Sequence, residues 1–95
     1  MSLGWPWVKA YKVKGLSMAP TLNPGDLLLG SGSIKPKAGH VVVVRRKPLS
    51  IKRIKKITNQ GIWLEGDNKQ ASTDSRRYGY VSESDITAVI FMKLK

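Results

Sequence analysis

Four consecutive valines occupy the middle of GHVVVVRR, residues Gly39–Arg46. Valine is β-branched, so it favours the extended backbone of a strand. Neighbouring side chains of a strand point to opposite faces. A run that is apolar at every position therefore indicates a strand buried on both faces. We predict a central strand at His40–Arg46, with the rest of a β-sheet on either side.

Five further segments have the features of short strands, namely brief apolar and β-branched runs bounded by Gly, Pro, Asn or Ser. They are Trp7–Lys14, Asp26–Leu29, Ser50–Thr58, Gly61–Glu65 and Ile86–Leu94. No sustained 3.6-residue period is present. Lys9, Lys12 and Lys14 predict that the first strand is an edge strand or has a solvated face. The sequence thus predicts a mainly β fold, a small single-domain folded sheet or barrel.

Length and composition limit the classes of function that remain. A chain of 95 residues has room for one core, so we predict a single domain over residues 1–95, with residues 1–6 either disordered or derived from cloning. Seventeen Lys and Arg against six Asp and Glu give a net charge of +11, which attracts nucleic acid, anionic lipid or an acidic partner. The chain has no cysteine and one histidine, His40. This composition excludes disulfides, cysteine nucleophiles and His-rich metal sites.

The sequence also bears on localisation. No stretch approaches the ~18–20 apolar residues of a membrane span, and no apolar run at the N-terminus reads as a signal peptide. We expect a cytoplasmic protein, or a membrane-associated one if a natural N-terminal anchor is missing from this chain. The Trp5-Pro6-Trp7 cluster, together with the positive charge, would suit a peripheral contact with an anionic membrane. The alternative is an aromatic cluster that covers the core where the first strand begins.

The first candidate for chemistry is Ser17, in the segment Gly15–Leu22 that follows the first strand. A serine between a glycine and a proline, on a turn leaving a strand, can be presented by rigid backbone with nearby N–H groups free to face an oxyanion. The alternative is an ordinary turn, because serine and proline are common turn residues.

The second candidate is Lys52, in the basic strand Ser50–Thr58. Strand alternation places Lys52 on the same face as Ile54, and Arg53 on the other face. A lysine in apolar surroundings has its charged form disfavoured, and a neutral amine is a workable general base. The alternative is a solvated basic strand that binds nothing or a polyanion.

The third candidate is the polar segment Gly66–Gly79, which lacks large aliphatic side chains. Asp74 and Arg76 could pair and rigidify it, and Ser72 could hydrogen-bond a nearby amine and fix its direction. The alternative is a polar surface loop.

Four segments in this order, GxSMxPTL from Gly15, GDLLL from Gly25, IKRI from Ile51 and GDNxxxSxDSRxxG from Gly66, resemble the type I signal peptidase family of serine–lysine proteases. The resemblance covers most of the chain. It implies a β-rich fold and an enzyme without cofactor or metal, which acts on a protein or peptide substrate.

The resemblance also implies roles for individual residues. Ser17 would be the nucleophile and Lys52 the general base, Ser72 would orient the lysine, and Asp74 and Arg76 would form a structural pair near the site.

Three residues around the nucleophile are assigned by the same resemblance to the substrate groove and the oxyanion site: Gly15, Met18 and Pro20. Gly15 stands where some family members have a hydroxyl residue, so the expected oxyanion donor is the Ser17 backbone N–H. The chain departs from the family at His40, where an aspartate is usual. A Ser/His/Asp triad through His40 is the less favoured reading, because no motif surrounds it.

The substrate is suggested by resemblance alone. The short form of the chain is most similar to maturation proteases of nickel-type superoxide dismutase, which implies removal of an N-terminal propeptide. Leader processing at the membrane, as by signal peptidase I, is the nearest alternative. Self-cleaving repressors use the same Ser/Lys chemistry. That family needs a cleavable segment and a DNA-binding domain ahead of the serine, whereas only sixteen residues precede Ser17 here, so this alternative is less favoured. The alternative from a different class is a small basic β-barrel whose main role is to bind nucleic acid. It is less favoured, because the basic residues are dispersed and no aromatic stacking array is evident.

Overall fold

One antiparallel sheet of six strands organises the computed structural model, which describes residues 7–46 and 49–95. The strands are β1 (Val8–Lys12), β2 (Leu27–Ser31), β3 (Val41–Val44), β4 (Ser50–Thr58), β5 (Gly61–Glu65) and β6 (Ile86–Lys93). Their order across the sheet is β1-β2-β6-β3-β4-β5. The predicted mainly β fold is confirmed. The bounds of β4 and β5 are those predicted, and the other strands differ from prediction by one or two residues at an end.

The valine run forms the centre of the sheet. Strand β3 pairs with β4 on one side and β6 on the other, and Val42, Val43 and Val44 are fully buried. Val42 and Val44 belong to one core cluster, whereas Val41 packs against a second. The run is apolar throughout because both faces of β3 are covered, each buried side chain contributing about 1.5–3 kcal/mol of apolar burial.

The two core clusters have distinct members. The first contains Val42, Val44, Ile54, Ile62, Leu64, Val81 and Val89. The second contains Val13, Met18, Leu22 and Leu28. The second cluster therefore anchors the segment around Ser17 on the sheet.

Strand β1 is an edge strand, as its lysines predict. Among the six described strands it pairs with β2 alone, and Lys9, Lys12 and Lys14 are exposed. Trp7, just before it, is also largely exposed. The predictions about residues 1–6, including Trp5 and Pro6, lie outside the described residues.

The segment Gly66–Gly79 contains no strand residue. It forms a 3₁₀ turn at Lys69–Ala71 and a single helical turn, α1, at Ser75–Tyr78. A second 3₁₀ turn, Glu83–Asp85, leads into β6. Within the described residues, no helix has the length and apolar composition needed to cross a membrane.

Candidate active site

Lys52 lies near the start of β4 and is 5% exposed. It pairs with Val42 across the sheet, and it is buried with Ile54, two residues further along the strand, as alternation predicts. Burial lowers the pKa of the Lys52 amine, because desolvation disfavours the charged form. The carboxylate of Asp74 raises that pKa in part, and the charge of Arg76 lowers it. The net direction favours a neutral amine.

Two hydrogen bonds connect this amine to a buried carboxylate. Lys52 Nζ donates to Ser72 Oγ over 3.0 Å, and Ser72 Oγ donates to Asp74 Oδ2 over 2.7 Å. The hydroxyl proton of Ser72 is thus committed to Asp74, which leaves the hydroxyl oxygen to accept from lysine. This arrangement fixes the direction of the Lys52 amine.

Asp74 is the anchor of the polar segment and is 1% exposed. Its carboxylate accepts from the Gly66 backbone N–H at 2.8 Å and from Arg76 Nε at 2.9 Å, and it caps α1 by accepting from the Arg76 backbone N–H. Burial alone would raise the pKa of Asp74, but hydrogen bonds from Arg76, Ser72 and Gly66 outweigh burial and hold the pKa well below its usual range. The carboxylate is therefore charged and fully partnered.

The Ser17 turn is attached to the polar segment through consecutive residues of the GDN sequence. Asn68 donates its backbone N–H to the Ser17 carbonyl at 2.8 Å and its side-chain Nδ2 to the Leu16 carbonyl at 3.0 Å. Asp67 donates its backbone N–H to the sulfur of Met18 at 3.4 Å. The segment that carries Asp74 thereby also sets the position of Ser17.

Gly66 fits between the two halves of the site. A Cβ atom there would lie 2.5 Å from the Ser17 carbonyl oxygen and 2.6 Å from Ser72 Cβ, and it would overlap Ser72 Oγ. The backbone φ of Gly66 is not positive, so the requirement is for space rather than for a left-handed conformation. Only glycine permits this approach.

A second ion pair braces the segment against the sheet. Arg53, next to Lys52 on β4, donates from Nε and Nη2 to the two carboxylate oxygens of Asp67, each at 2.9 Å. Such a bidentate pair fixes geometry as well as charge. Lys52 and Arg53 point to opposite faces of β4, and each holds a different part of the segment Gly66–Gly79: Lys52 bonds Ser72, and Arg53 bonds Asp67.

Ser17 and Lys52 line the same open groove, of about 780 Å³. We call it the active-site groove; it runs between the end of β1, the Ser17 turn and the start of β4, and its walls include Tyr11, Val43 and Ile51. Ser17 is half-buried there. Among the hydrogen bonds of residues 7–46 and 49–95, that of Lys52 Nζ goes to Ser72 rather than to Ser17. A half-buried hydroxyl that shares a groove with an amine of lowered pKa is suited to nucleophilic chemistry.

Comparison with known proteins agrees with this chemistry. A family model described as Peptidase S24-like matches residues 6–90. The chain belongs to the peptidase S24-like family. It is therefore of serine peptidase type. Comparison with curated proteins gave no match to this S24-like peptidase. The likeness to type I signal peptidases, the Ser/Lys dyad and the nickel superoxide dismutase substrate stay predictions.

Of the three residues assigned to the groove and oxyanion site, only Gly15 lines the active-site groove of this S24-like peptidase. Met18 is 1% exposed in the second core cluster and is not among the groove residues; its side chain packs the Ser17 turn onto the sheet, and its predicted part in the groove and oxyanion site stays a prediction. Pro20 is exposed in the turn beyond Met18 and is not among the groove residues. His40 accepts the Lys37 backbone N–H through Nδ1 at 3.0 Å, which is a turn contact.

Three residues of the site were missed from the sequence. Gly66 and Asn68 were quoted only as parts of a motif, although a glycine followed by polar residues at a strand end is a signal for a close backbone approach. Ser50 lines the groove with its hydroxyl buried and unpartnered among the described residues. It stands two positions before Lys52 on β4, so strand alternation could have placed it on the same face.

The described residues contain no group of three or more His, Cys, Asp or Glu side chains that could hold a metal ion. The acids of the site are instead committed to arginines, as shown for Asp67 and Asp74. The side chains at the site offer a hydroxyl from Ser17, an amine from Lys52 and a second hydroxyl, that of Ser72, which orients the amine.

Proposed function

We propose that this S24-like peptidase is a serine endopeptidase in which Ser17 is the nucleophile and Lys52 the general base. The observation that carries the proposal is the Lys52 amine, which is buried, has a lowered pKa, is directed by Ser72 and shares a groove with Ser17. A lysine kept largely out of water for structural reasons alone would be costly, because its charged form is disfavoured.

The reaction follows from these groups. Neutral Lys52 Nζ takes the hydroxyl proton of Ser17 as Oγ attacks the carbonyl carbon of a peptide bond, and a tetrahedral oxyanion forms. The C–N bond then breaks, and the Lys52 ammonium returns the proton to the departing amine. The neutral Lys52 amine next deprotonates a water molecule, whose oxygen attacks the carbonyl carbon of the acyl-enzyme ester. The ester C–O bond then breaks, and the Lys52 ammonium returns the proton to Ser17 Oγ. Every proton is exchanged through one nitrogen atom.

The oxyanion requires a donor near Ser17. The Ser17 backbone N–H finds no hydrogen-bond acceptor among residues 7–46 and 49–95, so it is the candidate donor. Gly15, at φ +75°, turns the chain into the groove just before it without adding a side chain. We therefore keep Ser17 N–H in the oxyanion role.

The proposed substrate is a protein with an N-terminal propeptide or leader. The sequence resemblance makes a nickel-type superoxide dismutase precursor the first candidate and a secretory leader the second. Leu16 and Leu49 stand exposed on the groove, where an extended apolar segment of either substrate could cover them. The location, cytoplasmic or membrane-associated, and the peripheral membrane contact stay predictions, and so does the expectation that nucleic acid is not the partner.

The test is mass spectrometry of two peptides after incubation with the purified protein: a nickel superoxide dismutase N-terminus with its propeptide, and a leader with a small-residue cleavage site. We expect cleavage by the wild type and none by Ser17→Ala or Lys52→Ala. Lys55→Ala is the matched control, because Lys55 is an exposed lysine of the same strand and should keep activity. Near-normal turnover by Lys52→Ala would refute the dyad, and cleavage of the leader alone would reassign the substrate.

A further inference from the structure

All ionisable Lys, Asp and Glu side chains that line the active-site groove are basic ones. Three lysines line it, Lys12, Lys14 and Lys52, and no aspartate or glutamate is among its lining residues. Lys12 and Lys14 come from the edge strand β1 and the residues after it, and both are exposed. Lys14 is three positions before the proposed nucleophile. A segment bound in the groove would therefore lie beside two solvent-accessible cations.

No side-chain carboxylate of the described residues forms an ion pair with Lys12 or Lys14. The six acidic side chains of the chain are all within the described residues, and each has another hydrogen-bond or ion-pair partner. Five form ion pairs: Asp26 with Lys93, Glu65 with Lys69, Asp67 with Arg53, Asp74 with Arg76 and Glu83 with Lys35. The sixth, Asp85, accepts the Ser82 backbone N–H. The groove lysines thus lack an acidic partner among the described residues.

The rest of the groove is mainly apolar. Tyr11, Leu16, Leu49 and Ile51 contribute to its walls. Apolar walls next to the exposed Lys12 and Lys14, the basic margin of the groove, complement a bound peptide that combines small or apolar residues with negative charge. A polyanion such as nucleic acid would complement the margin, but it would leave the exposed Leu16 and Leu49 without a matching surface.

We infer that the peptide accepted by this groove is acidic, carrying Asp or Glu close to the bond that is cut, with Lys12 and Lys14 as the residues that select it. The inference rests on the proposed function, since it names the substrate class of the same site. Each exposed ion pair should change affinity by about 1.5- to 5-fold. The preference should weaken in high salt, because surface charges are screened beyond about 3 Å at 1 M salt.

Binding can be measured without catalysis by fluorescence anisotropy of the Ser17→Ala variant. The probes are three labelled twelve-residue peptides of alanine and serine that differ only in carrying two Glu, two Gln or two Lys. We expect the Glu peptide to bind most tightly, and the advantage to fall in Lys12→Gln and Lys14→Gln. Lys9→Gln is the matched control, because Lys9 is an exposed lysine of β1 outside the groove. Equal binding of the three peptides, or no binding, would overturn the inference.

Charge reversal separates selection by the groove from attraction by the whole basic protein. Lys14→Glu should shift the preference toward the Lys peptide, whereas Lys9→Glu should not. An equal shift in both variants would assign the effect to net charge and refute the assignment to the groove. A competition experiment tests nucleic acid as the ligand. If an oligodeoxythymidylate displaces the labelled Glu peptide at a lower concentration than the unlabelled Glu peptide does, the groove favours nucleic acid and the inference is overturned. Failure of wild-type cleavage alongside selective binding would refute only the proposed function.

Discussion

Replacing Gly66 by alanine should impair catalysis in a protein that stays folded. The added Cβ would lie 2.5 Å from the Ser17 carbonyl oxygen, whereas carbon–oxygen contacts are ordinarily no closer than about 3.3 Å. The Ser17 turn must therefore retreat by roughly 0.8 Å, or the Ser72 side chain must leave its place between Lys52 and Asp74. A misplacement on the order of 1 Å costs about 100-fold in rate when reacting groups must be aligned.

The substitution should also lower the stability of the protein, without unfolding it under the conditions of the assay. Overpacking of this kind lowers the free energy of unfolding by about 1–3 kcal/mol. For a chain of this size each kcal/mol corresponds to a decrease of roughly 4–8 °C in Tm. The assay is kcat/KM for a cleaved peptide well below the Tm of both proteins, with urea unfolding measured in parallel. Gly32→Ala is the matched control, because its Cβ would meet only the Thr87 carbonyl, at 3.3 Å. Wild-type kcat/KM in Gly66→Ala would refute the close-approach argument.

The site makes three further predictions. Lys52→Met should abolish cleavage without lowering the free energy of unfolding, because it removes an amine that is costly to bury; a clear loss of stability in urea would contradict this. Cleavage should rise with pH through a midpoint below that of a free lysine, since burial lowers the pKa of Lys52, and a rate that is flat between about pH 6 and 9 would exclude an amine base. Asp74→Asn should lower the free energy of unfolding by about 1.5–3 kcal/mol at neutral pH. Because folding lowers the pKa of Asp74 from its ordinary 3.8, that difference should persist above pH 3.8 and shrink as the pH falls below it; a constant difference in acid would contradict the assignment.

Local sequence patterns were sufficient for the strands but not for their order. The Asn59-Gln60 turn and the alternation on each side of it define β4 and β5, and the four valines define a central strand. The insertion of β6 between β2 and β3 joins residues far apart in sequence, and no local pattern encodes such a pairing. The register shift between Ile54 and Lys56 is likewise set by the partner strand.

The site was predictable where a single strand decides the geometry. Alternation along β4 is enough to bury Lys52 with Ile54. The position of Met18 depended on tertiary packing instead, because a methionine beside a serine on a turn can face either a groove or the core. The structure shows that it faces the core. The contacts of Gly66 and Asn68 to the Ser17 turn cross about fifty residues of sequence, so only the folded chain reveals them.

The position of Arg76 explains how a buried carboxylate and a lysine whose pKa is lowered can share one network. Asp74 alone would favour the ammonium form of Lys52, and it would raise the pKa that burial lowers. Arg76 holds both oxygens of Asp74, at 2.9 and 3.1 Å, and its own charge also acts against the ammonium form. The carboxylate can therefore anchor Gly66, Ser72 and α1 without holding Lys52 as a cation. The stability of the polar segment and the pKa of the Lys52 amine then depend on the same ion pair. The Asp74–Arg76 pair would thereby both fold the site and prepare Lys52 for its proposed role as the base.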